Sequence, residues 1–279
     1  MQLYHDTTMK MSKLLTTAYS TSFSMGIMAF APKFREPIYA VYGFVRLADE
    51  IVDTFHGFDK KKMLSDFRTE TYKAIETGLS TNPILHAFQI VVNKYGIDRE
   101  YINAFLDSME MDLYNNYYES KEYNNYIYGS AEVVGLMCLR VFVEGDKELF
   151  NRLLAPAKAL GSAFQKVNFL RDIKSDIEER GRIYLPGIDQ YVDINDCNKK
   201  LLEDGIEREF ELALEGIRNL PAGVRMGVYS AYLYYIKLFE KIRKSEVTVL
   251  MKKRVRVSNI RKIALLFKSL LEVKILKTT

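Results

Sequence analysis

YAVYGFVRLADEIVD, Tyr39 to Asp53, and GSAFQKVNFLRDIKSD, Gly161 to Asp176, are the stretches from which the rest of this 279-residue chain is read. At 100° per residue, Tyr42, Arg46, Asp49 and Asp53 fall on one stripe of a helix, and so do Gln165, Asn168, Asp172 and Asp176, with Arg171 alongside. Around the first stripe stand Ile38, Val41, Phe44, Val45, Leu47, Ala48, Ile51 and Val52, apolar on most sides. Such a helix is buried, so its carboxylates face other helices or an internal cavity, where a charge must be paired or bound to metal.

Outward from these stretches the spacing stays helical. It predicts helices over 8–29, 36–55, 59–77, 83–95, 99–118, 121–143, 146–160, 162–179, 197–218 and 222–246, with one more near 258–276. Asn82-Pro83 and Asp98 read as starts; Gly78, Gly96, Gly145 and Gly181 read as stops. No strand-like alternation and no fixed repeat is found, and only 15 Gly and 6 Pro interrupt the pattern. The expectation is one all-α domain over 1–279, with a basic amphipathic segment at 252–279. The one long irregular piece, Gly181 to Asn195, follows the most charged helix and is expected to fold over it.

Composition removes several classes. Two cysteines, Cys138 and Cys197, make no disulfide framework, and three scattered histidines make no His-based metal site. Neither a GxxxxGK[ST] loop nor GxGxxG is present, so nucleotide-type phosphate binding is not expected. The most apolar stretch, Val133 to Val143, is short and carries Arg140, so no transmembrane helix is expected. The N-terminus lacks the pattern of a secretory leader, which predicts a cytoplasmic protein. The net charge of +4 is uneven, since Lys252 to Thr279 holds nine basic residues and one acidic. That tail suits a solvated helix face or an anionic membrane surface; no nucleic-acid partner is expected.

One DxxxD on a helix is ordinarily a solvated face. Two copies, each with an arginine and an upstream polar residue, point instead to diphosphate held with Mg²⁺ (or Mn²⁺). Mg²⁺ takes one or two carboxylates, with phosphate oxygens and waters completing its shell. Arginines add forked donors for phosphate.

At these residues the chain resembles the phytoene and squalene synthase family, the head-to-head trans-prenyl transferases. YxxxRxxDxxxD matches Tyr42, Arg46, Asp49 and Asp53; QxxNxxRDxxxD matches Gln165, Asn168, Arg171, Asp172 and Asp176. GRxYLP follows at Gly181, Arg182, Tyr184, Leu185 and Pro186. SxSF matches Ser20, Ser22 and Phe23, and a tyrosine followed by AGxVG resembles Tyr126 to Gly135. Residues 191–279 match loosely, and no tyrosine before the basic segment is carried over.

The resemblance implies an isoprenoid synthase helical bundle around a central cavity. Asp49, Asp53, Asp172 and Asp176 would bind the metal. Ser20, Ser22, Tyr42, Arg46 and Arg171 would contact diphosphate. Gln165 and Asn168 would support the second aspartate pair, and Phe23 and Tyr126 would face the carbocation. The implied reaction joins two allylic diphosphates through a cyclopropylcarbinyl diphosphate. With two geranylgeranyl diphosphates the product is phytoene, without a nicotinamide cofactor. With two farnesyl diphosphates it is squalene, hydroxysqualene or dehydrosqualene. Phytoene synthesis is the first expectation, with contact to downstream carotenoid enzymes. A non-catalytic assembly protein of the same fold would be expected to lose aspartates, and all four are present. Glu132 stands where the family has glycine, and is expected to reshape the cavity. Ile260, Ile263, Phe267, Leu270 and Leu271, alternating with Arg261, Lys262 and Lys268, form an amphipathic helix. It either packs on the bundle or lies peripherally on the inner face of a membrane.

Overall fold

Ser20 breaks the first predicted helix in two. Its backbone is extended (φ −143°, ψ 99°), and its hydroxyl accepts the Phe23 N–H at 3.2 Å, so it ends one helix and caps the next. In the computed structural model, which describes residues 1–186, 188 and 193–275, these are α1 (Gln2–Tyr19) and α2 (Thr21–Met28). There follow α3 (Pro32–Asp53), α4 (Lys60–Thr77), α5 (Pro83–Tyr95), α6 (Arg99–Met111), α7 (Ser120–Ile127) and α8 (Val133–Val143). The last are α9 (Lys147–Arg180), α10 (Asp196–Asn219), α11 (Ala222–Arg243), α12 (Val247–Leu250) and α13 (Asn259–Ile275). Among the described residues there is no β-strand, only an isolated bridge between Tyr117 and Ile183. The expected all-α fold is what forms.

Several ends follow their local chemistry. Asn82 accepts from the N–H groups of Ile84 and Leu85 at 3.1 and 3.4 Å, Pro83 fills the first turn, and Gly96 closes α5 at φ +61°. Asp98 departs from expectation: it makes no capping bond, because Arg140 of α8 draws its carboxylate across at 2.6 Å.

Two predicted helices, 146–160 and 162–179, are one, the 34-residue α9. Gly161 does not interrupt it; the glycine is there because a Cβ would lie 2.6 Å from the Ala131 carbonyl oxygen. Residues 120–143 also run on, through a π-helical turn at Tyr128–Glu132 between α7 and α8. That rod is long and apolar enough, by length and composition alone, to cross a membrane. Yet 61% of its apolar window is buried inside the bundle, as befits a core helix.

Helix α3 divides core from cavity. On its outer side Phe44 stacks on Phe88 of α5 (ring centroids 3.9 Å apart), flanked by Phe67 of α4 and Phe105 of α6 at 5.5 and 5.4 Å. Phe44 is fully buried, and burying each such ring contributes about 2–3 kcal/mol. Helix α13 leans on α11, where the Tyr229 hydroxyl donates to Glu272 at 2.8 Å and Ser269 is buried. Its other side leaves Ile260, Phe267 and Leu271 exposed (83%, 62% and 68%); the side chain of Ile263 lies outside the described residues.

Candidate active site

Helices α3 and α9 run in the same direction along one cavity of about 470 Å³. Down α3 it is lined by Ile38, Tyr42, Val45, Asp49 and Asp53; down α9 by Leu153, Leu160, Phe164, Asn168, Asp172 and Asp176. At 1.5 Å per residue, Asp49 stands about 16 Å along the axis from Ile38, and Asp172 roughly 28 Å from Leu153. The cavity is therefore graded, from carboxylates at the C-terminal ends of both helices to Phe30, Phe142 and Leu153 at the other end. Close helix approach keeps that apolar end narrow. A Cβ on Gly227 of α11 would fall 2.3 Å from the Phe30 ring, and one on Gly216 of α10 2.2 Å from Pro156.

The two aspartate pairs meet. The Arg180 guanidinium bridges them, 3.3 Å from Asp53 and 3.0 Å from Asp176. Arg182 reaches Asp53 at 2.8 Å. It is delivered there by the left-handed turn at Gly181 (φ +67°) and by the bond from the Ile183 N–H to the Asn116 carbonyl at 2.8 Å. Of the irregular piece expected to fold over the charged helix, residues 181–186 thus lie against the site; 187 and 189–192 are outside the described residues.

The carboxylates are not alike. Burial pushes the Asp49 carboxyl up to about 7; Arg46 opposes this, and neighbouring Asp53 and Asp112 add to it. Burial likewise raises Asp176 to about 7, reinforced by Asp172. At Asp172 burial acts upward too, but the Arg171 fork at 2.9 and 2.5 Å and Arg254 at 2.6 Å overcome it and hold the carboxyl below its ordinary value.

Of the residues singled out from sequence, Phe23, Tyr42, Asp49, Asp53, Tyr126, Gln165, Asn168, Arg171, Asp172 and Asp176 all line the cavity. Three do not. Arg46 stacks over the Tyr19 ring at 4.3 Å and pairs with buried Glu50 one turn on, leaving Asp49 at 3.8 Å. The end of α1 thus draws its guanidinium to the edge of the aspartate stripe, off the cavity lining. Ser20 is spent as a helix cap, beside the Tyr42 phenol that burial pushes up to about 12. Ser22 is half-buried off the cavity wall. Glu132 also departs from expectation. It lies outside the lining and pairs with Lys158 at 3.0 Å, so the cavity keeps its small-residue wall of Ala131, Val134 and Gly135.

Sequence reasoning missed Asp112 and Arg254. Asp112, just past α6, is buried; burial raises its carboxyl, while Arg182 and the Tyr184 phenol work against the rise. Its signal lay in the crowd of tyrosines between 114 and 128, because buried phenols need an acceptor. Asn168 likewise gains a partner, the Tyr235 hydroxyl at 3.1 Å.

The donor set fits a hard cation. Among the described residues no three His, Cys, Asp or Glu side chains gather closely enough to hold a bare ion. Each helix instead offers two carboxylates to the cavity, Asp49 and Asp53 on α3 and Asp172 and Asp176 on α9. That suits ions sharing their shell with phosphate oxygens and waters, not an all-protein cage.

The Squalene/phytoene synthase family matches residues 16–189, more than half of the chain. A phytoene synthase from Arthrospira platensis is 30% identical over 264 residues, covering 86% of this chain and 85% of that protein. A chloroplastic phytoene synthase from Daucus carota is 28% identical, covering 82% of this chain; the chain spans 61% of the carrot protein's length. Among solved structures, a dehydrosqualene synthase in complex with ligand superposes with a TM-score of 0.83 at 22% identity, over 97% of this chain and 98% of that one. This last likeness speaks to the fold. The chain belongs to the squalene/phytoene synthase family, a family of prenyltransferase-type enzymes.

Proposed function

We propose that this member of the squalene/phytoene synthase family joins two geranylgeranyl diphosphates head to head, through the cyclopropylcarbinyl diphosphate, to phytoene. The observation that carries the reading is the graded cavity: diphosphate-compatible charge at one end and a narrow apolar end beyond it. The phytoene synthases of Arthrospira and carrot support the choice of product.

Asp49, Asp53, Asp172 and Asp176 would hold Mg²⁺ or Mn²⁺, which when bound supplies Lewis-acid stabilisation of a departing diphosphate. The chain's own residues do the rest. Arg171, Arg180 and Arg182 present fixed guanidiniums where negative charge grows as the allylic C–O bond breaks. Asn168, held by Tyr235, and Gln165 orient the second aspartate stripe. Val134, Phe164, Phe142 and Leu153 bury the two chains and keep water from the cation. No nicotinamide cofactor takes part. The chain acts as one all-α unit over 1–279. Its α13, apolar and basic on the exposed side, rests on an anionic inner membrane face where the substrates dissolve and where downstream carotenoid enzymes take the product.

Purified protein with Mg²⁺ and geranylgeranyl or farnesyl diphosphate, each with and without NADPH, tests the proposal. A C40 hydrocarbon independent of NADPH supports it. A C30 product moves the chain to the dehydrosqualene or squalene branch, the second reading, favoured by the likeness to the dehydrosqualene synthase fold.

A further inference from the structure

Asp112 lines the cavity beside Tyr126 and is almost wholly covered by its neighbours. Its side chain is 4% exposed. One carboxylate oxygen accepts from the hydroxyls of Tyr118 and Tyr184 at 2.9 and 2.8 Å, the other from Tyr126 at 2.9 Å, and Arg182 lies 3.6 Å away. Three O–H donors and a guanidinium converge on one acid, so both of its oxygens serve as acceptors. The phenols so anchored belong to a stack of rings. Tyr126 and Tyr184 are 5.2 Å apart, and Phe169 and Tyr184 4.3 Å and nearly parallel, at 6°. Tyr126, Phe169 and Tyr184 all line the cavity beside Asp53 and Asp176.

A hydrogen bond from a phenol to an anion shifts electron density from the O–H into the ring, and a richer ring face attracts a cation more strongly. We propose that Asp112 is a positioning residue that fixes the Tyr126 and Tyr184 rings against the cavity and enriches their faces, so that the carbocation is held there until the second chain attacks it. The step balances without a proton: the allylic C–O bond breaks, its electron pair leaves with diphosphate, and no bond to the protein forms. The inference rests on the head-to-head reading of the same site.

The test is the fate of the cation, not the rate. Wild type, Asp112→Asn and Tyr126→Phe, each checked for folding by circular dichroism, receive Mg²⁺ and whichever of geranylgeranyl or farnesyl diphosphate the wild type turns over. Products are compared at equal conversion. Both variants should raise the ratio of water-captured alcohols and cyclopropylcarbinyl diphosphate to final hydrocarbon by about tenfold. The double variant should be no worse than the worse single one. Tyr126→Phe keeps the ring and loses only the bond to Asp112, so it decides the matter if Asp112→Asn does not fold. Rates that fall while the product ratio stays at the wild-type value overturn the role of Asp112 and leave the head-to-head reading standing. A wild type that converts neither diphosphate removes both.

Discussion

The two aspartate helices share a spacing and differ in electrostatics. On α3 the motif arginine, Arg46, stands three residues before Asp49 and turns to Tyr19 and Glu50, so at Asp49 it only partly offsets burial and the neighbouring carboxylates. On α9 the arginine is adjacent to Asp172 and clamps it with a fork, joined by Arg254 from the segment before α13. The i, i+4 interval puts carboxylates on a stripe. Where the nearest guanidinium points decides which carboxylate is charged without help.

Losing an aspartate from either helix should abolish most of the activity and so erase the contrast. Asp53→Asn and Asp172→Asn are each expected to lower product formation at least about 10³-fold in a radiolabelled diphosphate assay. A loss below tenfold in one of them would mean that its helix does not bind the leaving group. The arginines sharpen the comparison. Arg171→Ala should cost about a hundredfold in kcat/KM, because it removes a cavity guanidinium and the Asp172 clamp. Arg46→Ala should cost about tenfold and show mainly as lost stability, because it faces Tyr19 and Glu50. Equal losses would break the distinction.

Glycines carry the same asymmetry into stability. Gly161→Ala on α9 drives a Cβ to 2.6 Å from the Ala131 carbonyl oxygen, whereas Gly43→Ala on α3 comes no nearer than 3.3 Å to Ser12 and 3.5 Å to Ile84. Denaturant unfolding should read about 2–3 kcal/mol for the first and below about 1 kcal/mol for the second.

A further effect of modest size is in pH. In metal-free protein Asp49 and Asp176 carry folded-state pKa values raised to about 7. The folded chain therefore holds more protons than the unfolded one between about 4 and 7. Stability should be fullest below about 4, fall as pH rises through that window, and level off above it. After allowance for water in the cavity the total is about 1–2 kcal/mol, and Mg²⁺ with diphosphate should flatten the slope. Asp172, held low, works in the opposite sense and only at more acid pH.

The sequence announces what repeats and what punctuates. Both aspartate stripes follow from spacing alone, and α5 has the predicted ends because Asn82-Pro83 and Gly96 mark them. The break at Ser20 escapes notice because a serine inside a helical pattern declares nothing until its hydroxyl is seen to cap α2. Gly161 misleads in the other direction, being small for its neighbour's sake and not to end a helix. Arg46 has the right spacing to face the cavity, but the end of α1, invisible to periodicity, takes its guanidinium. Asp112 is a lone acid, brought beside Arg182 and Tyr184 from 70 and 72 residues away. No local pattern encodes a meeting of that kind.

The π turn at Tyr128–Glu132 works as a phase shift. One extra residue in a turn rotates everything before it by about 100° relative to everything after it. Tyr126 can therefore turn its hydroxyl back to Asp112 while Ser130, Val134 and Cys138 keep their own alignment on the cavity. Removing a turn residue that stays off the wall, such as Tyr128 or Glu132, would delete no side chain of the lining, yet it would dial the whole tyrosine end of the rod out of register with the rest.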